Sequence, residues 1–394
     1  MPFLRSRRFA AVSLVAAALL AGGAGALVGT CGPFTDVAAD AFCPFVLEIF
    51  TLGLTTGTTP TTYDSASNVS RLQMAAFLSR TVDATLKRGD AGAALGKFWT
   101  PAGINAAGLT AVGDFPFFVR SDGADLWVSN NNSSTVSRVR ASDGRVLETW
   151  TGATGAAGVL VAMGRVFVTG QTVPGALYMI DPSLPAGAVT TMATDLGGVP
   201  IGLAFDGARI WTANGSGGVG SVSIITPGGA PPWTTTTVTS GFQVLRGMIY
   251  DGANIWVSVY TANNLLKLDP NGAILQTTTV GDAPGFPAFD GENIWVPNAL
   301  SFSTSVVRAS TGVVLQNLPG NSQNFPFAAA FDGERILVTN SSSPNGNGVS
   351  LWKAADLTPL GFVATGPSSF PSGACSDGVS FWVALSGKDQ LARF

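Results

Sequence analysis

Histidine is absent from all 394 residues of the chain. That removes the commonest general base and the commonest side-chain metal ligand together. A Ser-His-Asp triad and an imidazole-held zinc or copper are therefore excluded. Charge is scarce as well: Asp, Glu, Lys and Arg make up 11% of the chain, against roughly 25% in an ordinary soluble domain. Thr, Ser, Asn and Gly fill the polar positions instead, which suits short strands, tight turns and an exported surface. A net charge of −3 supplies no basic field for phosphates, so nucleic acid is not an expected partner. Only three cysteines occur. Cys31 and Cys43 lie close together in an exported segment, where they form either a small disulfide loop or two buried thiols, and the bridge is the expectation. Cys375 stands alone in an apolar strand pattern and reads as a core thiol, since no base could activate it.

The amino terminus carries a different signal. Arg5, Arg7 and Arg8 precede an apolar run from Phe9 to Leu20, and Ala24-Gly25-Ala26 offers the small residues of a cleavage site. The run is short for a membrane-spanning helix. Residues 1–26 are therefore expected to be a signal peptide, with a retained anchor as the alternative. No other segment is long and apolar enough to cross a membrane.

Residues 31–88 form a second unit, ahead of a Gly- and Ala-rich linker at 89–107. The segment AFCPFVLEIFTL at 41–52 places apolar residues at helical spacing, and Gly53 and Gly57 close it. Ser70 followed by Gln73 has capping-box spacing at the start of a second helix. Met74, Phe77, Leu78, Val82 and Leu86 then share one face. The order Phe34-Thr35-Asp36-Val37, helix, Leu-Gly-Leu-Thr-Thr-Gly, a loop with Tyr63, then Val69-Ser70-Arg71-Leu72-Gln73-Met74-Ala75 resembles one S-layer homology (SLH) repeat. In that family the tetrapeptide opening the second helix contributes to a cell-wall polysaccharide site. The resemblance implies a glycan contact at Ser70, Arg71 and Gln73, keeping the arginine but lacking the family's acidic residue. The family usually carries three tandem repeats, and one is present here. The plain alternative is a two-helix cap with Arg71 as an exposed helix-start residue.

Downstream one phrase recurs: SDGADLWVSN at 121–130, FDGARIWTAN at 205–214, YDGANIWVSV at 250–259, FDGENIWVPN at 289–298, FDGERILVTN at 331–340 and SDGVSFWVAL at 376–385. MGRVFVTG at 163–170 is a weaker copy. The large apolar position falls at Trp127, Phe167, Trp211, Trp256, Trp295, Leu337 and Trp382, a spacing of 39 to 45 residues. Four short strands per repeat of that length is the pattern of propeller blades. The last repeat stops at its third strand, 390–394, while 108–113 reads as an orphan outer strand ahead of the first. Joining the two closes a ring of seven and removes both edges. The expected fold is thus an all-β, seven-bladed propeller over 108–394 with velcro closure, preceded by the small α-helical module.

Each repeated side chain has a bland reading and a functional one. The tryptophans suit blade-to-blade packing better than a sugar-binding row. The six repeated aspartates suit Asp-Gly turns better than a calcium ring. Asn130, Asn214, Asn298 and Asn340 end the second strand of four repeats; they either cap the next loop or face a ligand near the central channel. Residues 108–394 resemble the NHL and YVTN class of extracellular propellers, which includes streptogramin lyase-like proteins. That lyase activity, in the family, is an elimination relying on a catalytic histidine and a magnesium-binding glutamate, and this chain has no histidine to supply. No paired carboxylates for glycoside hydrolysis stand out either, and no metal or other cofactor is expected. The sequence therefore points to an exported, bacterial cell-surface protein for binding or display. Cell-wall polysaccharide or peptidoglycan would be the partner of the small module, and an extracellular protein or glycan that of the propeller. The alternatives are a secreted lyase-like or hydrolytic enzyme, or a self-associating structural subunit of a surface layer or filament.

Overall fold

The computed structural model describes residues 34–37, 43, 46, 58–59, 61–69, 73–74, 77–78, 108–342 and 346–394. The chain divides into two compact units, Met1–Leu95 and Gly96–Phe394. The signal-peptide segment, the 89–107 linker, Cys31, Ser70 and Arg71 lie outside the described residues.

In the first unit the side chains of Phe34, Val37 and Val46 are buried, with Cys43 and Tyr63 packed against them. The Phe34 and Tyr63 rings lie 5.4 Å apart. Asp36 fixes the loop opposite: its carboxylate accepts the amide N–H of Tyr63 at 2.8 Å and of Asp64 at 2.6 Å. The first of these bonds does most to hold the Asp36 carboxyl below its usual range, outweighing burial. Cys43, Val46, Gln73, Met74, Phe77 and Leu78 have helical backbone. No complete helix falls among the described residues, so the expected two-helix module is not shown there. Cys43 is disulfide-bonded; its expected partner, Cys31, is outside the described residues.

The second unit is a seven-bladed β-propeller of seven four-stranded antiparallel sheets. Blades 1 to 6 run from Pro116, Ala156, Pro200, Leu245, Ala288 and Pro326, each from inner strand to outer strand. The seventh combines both ends of the described segment. Leu109–Ala111 pairs with Gln390–Arg393 in the register Leu109↔Ala392, Thr110↔Leu391, Ala111↔Gln390. The closure expected from the sequence is present.

Local chemistry explains the repeat. Each Asp-Gly turn between first and second strands needs a residue at positive φ, and Gly123, Gly207, Gly252, Gly291, Gly333 and Gly378 sit at φ of 90 to 100°. Side chains with a Cβ rarely adopt that conformation. The second strand that follows is buried along its whole length, as in Asp125–Asn130 and Asn293–Asn298. Its tryptophan packs between blades. Trp211 joins Met248 and Ile255 of the next blade, Trp256 joins Ile294 and Val307, and Trp382 joins Val119 and Leu126 across the closure.

Candidate functional site

The repeated polar side chains serve the scaffold. Oδ1 of Asp290 accepts the amides of Glu292 and Asn293 at 2.8 and 2.6 Å, and Oδ2 accepts the Trp295 indole N–H at 2.7 Å. The same aspartate-to-indole bond links Asp122 to Trp127, Asp206 to Trp211, Asp251 to Trp256 and Asp377 to Trp382. Where the sixth blade has Leu337 in place of tryptophan, Asp332 instead holds the Arg335 guanidinium at 2.8 Å. These carboxylates are engaged in their own turns and do not form a calcium ring.

The four asparagines proposed as ligand-facing are buried: Asn130, Asn298 and Asn340 are 0% exposed and Asn214 is 1%. Their amide groups reach back to the third strand. Asn130 donates to Ser137 at 2.9 Å, Asn214 to Ser223 at 3.0 Å, Asn298 to Ser305 at 2.9 Å and Asn340 to Ser350 at 2.9 Å. The expectation that they face a ligand is corrected accordingly: an amide enclosed at the strand end presents no surface. Gln73 is exposed with helical backbone.

What sequence reasoning missed lies on the innermost strands. Seven of them surround the axis: Pro116–Ser121, Ala156–Ala162, Pro200–Phe205, Leu245–Tyr250, the segment from Pro284 to Phe289, Pro326–Phe331 and Pro371–Ser376. None carries Asp or Glu. Four phenylalanines from three of them meet across the ring: Phe118 and Phe286 at 4.5 Å, Phe286 and Phe327 at 5.0 Å, Phe117 and Phe327 at 6.0 Å. Blade 7 separates blades 6 and 1, so contact between Phe117 and Phe327 means that this strand position projects toward the axis.

The only charges on these strands are Arg120 and Arg246, both partly buried. Arg120 donates to the carbonyls of Val119 at 3.1 Å and Ala374 at 3.0 Å. Arg246 lies 4.5 Å over the Tyr260 ring. Burial pulls both guanidinium pKa values below the ordinary one, opposed by Cys375 at Arg120 and by Tyr260 at Arg246. Neither makes an ion pair among the described residues. Arg246 occupies the place of Phe117 and Phe327: each follows the first residue pair of its blade, Leu245↔Val259, Pro116↔Asn130 and Pro326↔Asn340, beside a register shift. The clue in the sequence was the charge in LRGMIY, an otherwise apolar inner strand.

A separate cleft of about 250 Å³ opens at the Asp-Gly end of blades 3 and 4, lined by Asp206, Arg209, Tyr250, Asn254 and Asp269 among others. Its arginine is already paired with Asp206 at 2.9 Å. Among the described residues no three His, Cys, Asp or Glu side chains converge to hold a metal ion.

Fold and site together define a closed seven-bladed propeller with an apolar, cation-bearing axis. No protein-family model and no curated protein matches the chain. Solved structures do share the fold. A streptogramin B lyase aligns with TM-score 0.59 at 15% identity, over 73% of this chain and 95% of its own. A catalytically inactive histidine-to-alanine variant of virginiamycin B lyase from Staphylococcus aureus, with quinupristin, aligns with TM-score 0.59 at 14% identity, over 72% and 98%. Hydrazine synthase from Kuenenia stuttgartiensis aligns with TM-score 0.60 at 16% identity, over 74% and 98%. At these identities the likeness is one of fold.

Proposed function

We propose that the chain is an exported, envelope-associated binding protein whose propeller is a rigid recognition disc and performs no turnover. The observation that carries this reading is the absence of histidine on a fold whose lyase representative is described as inactive once a histidine is replaced. A propeller stripped of that base keeps its faces and its axis, which are binding features. The signal-peptide-like start supports export, and the SLH-like order around Phe34–Val37 and Val69–Ala75 supports association with cell-wall polysaccharide through Ser70, Arg71 and Gln73.

The test is sedimentation of residues 27–394 with isolated cell-wall material, beside the second unit alone, Gly96–Phe394. Pelleting of the longer form only is the expected outcome. Failure of both to pellet would remove the envelope anchor from the account. A structural-subunit reading draws on a different observation: Leu147, Leu275, Leu315 and Leu360 are exposed along outer strands. Concentration-dependent self-association in the same sedimentation experiment would favour it.

A further inference from the structure

We propose that the axis of the propeller beside Arg246 is a binding site for a carboxylate joined to an apolar group. The proposal rests on the binding reading above and names the chemistry that the disc recognises.

Three observations converge on it. First, Arg246 is partly buried with no carboxylate partner among the described residues, although the chain has more acidic than basic side chains, 24 against 21. A desolvated cation left unpaired costs stability, and proteins retain one where it has work to do. Second, the guanidinium is held in place. Its Cζ lies 4.5 Å from the centroid of the Tyr260 ring, a cation–π contact that restrains a side chain whose planar fork carries its donors on the N–H edge. Carboxylates are recognised by that edge through paired, charge-assisted hydrogen bonds. Third, the adjoining inner strand carries apolar surface. Gly247, the next residue, abuts Phe286 so closely that an added Cβ would meet its Cα at 2.5 Å. Phe286 packs in turn on Phe118 and Phe327. Phe117 and Phe327 remain only partly buried, so aromatic surface is left for a ligand. An apolar wall with one oriented charge is the usual make-up of a small-molecule site.

The second axial cation differs in kind. Arg120 already donates to two main-chain carbonyls, which marks it as part of the wall and makes it the control.

The experiment is a calorimetric titration of the purified chain with 3-phenylpropionate and, separately, with its uncharged amide, 3-phenylpropionamide. The carboxylate is expected to bind at least about tenfold more tightly, the scale of one charge-assisted pair. Arg246→Met is expected to abolish that preference without lowering the melting temperature, because it removes an unpaired desolvated charge and keeps the stem. Arg120→Met is expected to preserve the preference. Equal affinity for acid and amide in the unaltered chain overturns the proposal whatever the variants do. A preference that survives Arg246→Met also overturns it, as does a clear fall in melting temperature in that variant, which would assign Arg246 to the scaffold. Failure of the whole protein to bind cell walls leaves this titration unaffected, so the two readings fail separately.

Discussion

Asp122 and Trp127 are joined by a 2.8 Å hydrogen bond from the indole Nε1 to Oδ2, while Oδ1 of the same carboxylate accepts the amides of Ala124 and Asp125. One side chain therefore shapes the turn and satisfies the polar atom of a tryptophan that is 0% exposed. Removing it leaves a buried donor without a partner, at a cost of about 1–3 kcal/mol. Asp122→Ala is expected to destabilise the propeller by that amount in denaturant unfolding. In a double-mutant cycle with Trp127→Phe the losses should be non-additive; simple additivity would show that the bond carries no stability.

The same group makes stability depend on acid. Burial pushes the Asp122 carboxyl up. The Trp127 indole, the amides of Asp125 and Ala124 and the charge of Arg138 together outweigh it, leaving a net lowering. At Asp206 burial is again opposed, here by the Arg209 amide, the Trp211 indole, the Ala208 amide and the Arg209 charge. A carboxyl with a lowered folded pKa stabilises the fold above its unfolded value, near 3.8, and loses that contribution as pH falls through the folded value. Melting temperature should therefore drop on acidification below about pH 4, and the drop should be smaller in the Asp122→Asn, Asp206→Asn double variant.

Cys375 gives the alkaline counterpart. Burial is the main reason its thiol is pushed up to about 12; Asp377 adds to the effect, and Arg120 and the Ser121 amide oppose it. An unfolded thiol titrates near about 8.5. The folded state thus holds a proton that the unfolded state gives up, and stability from this group falls as pH rises from about 8.5 to 12. At neutral pH the native thiol should resist iodoacetamide. Without reductant, unfolding should expose one reactive thiol per chain, and reduction should raise the count to three. Three reactive thiols before reduction would contradict the Cys31–Cys43 bridge.

The ring depends on its last strand. Leu391 is fully buried in that strand, and Arg393 donates its amide to Gly108 at 2.8 Å. Leu391→Ala is expected to cost about 2–5 kcal/mol. Deleting residues 390–394 exposes two strand edges at once, a template for pairing with other chains. The shortened protein should melt earlier and sediment as oligomers; a monomer with unchanged melting temperature would contradict the closure.

The blades were legible because the information is local and repeated. Asp-Gly dictates a turn that only a permissive backbone makes, and the tryptophan five residues after five of the six aspartates marks a strand buried on both faces. Even the closure could be read, since the 109–111 strand lacked a blade and the 390–393 strand lacked a neighbour. The asparagine positions misled because a strand-end Asn looks alike whether it caps or binds; only the serines of the third strand, seven to ten residues further on, decide it. The axial site was hidden for another reason. Phe117, Phe286, Phe327 and Arg246 come from four inner strands spread over about 210 residues of sequence, and nothing local marks them as facing one axis until the ring closes.

The central claim, recognition without turnover, is tested most directly by incubating the purified chain with quinupristin and a divalent cation and following the macrocycle by chromatography with mass detection. The account predicts that the cyclic compound is recovered unchanged at any enzyme-like protein concentration. Accumulation of a ring-opened product in proportion to protein and time would contradict it, and would mean that a base other than histidine performs the elimination on this propeller.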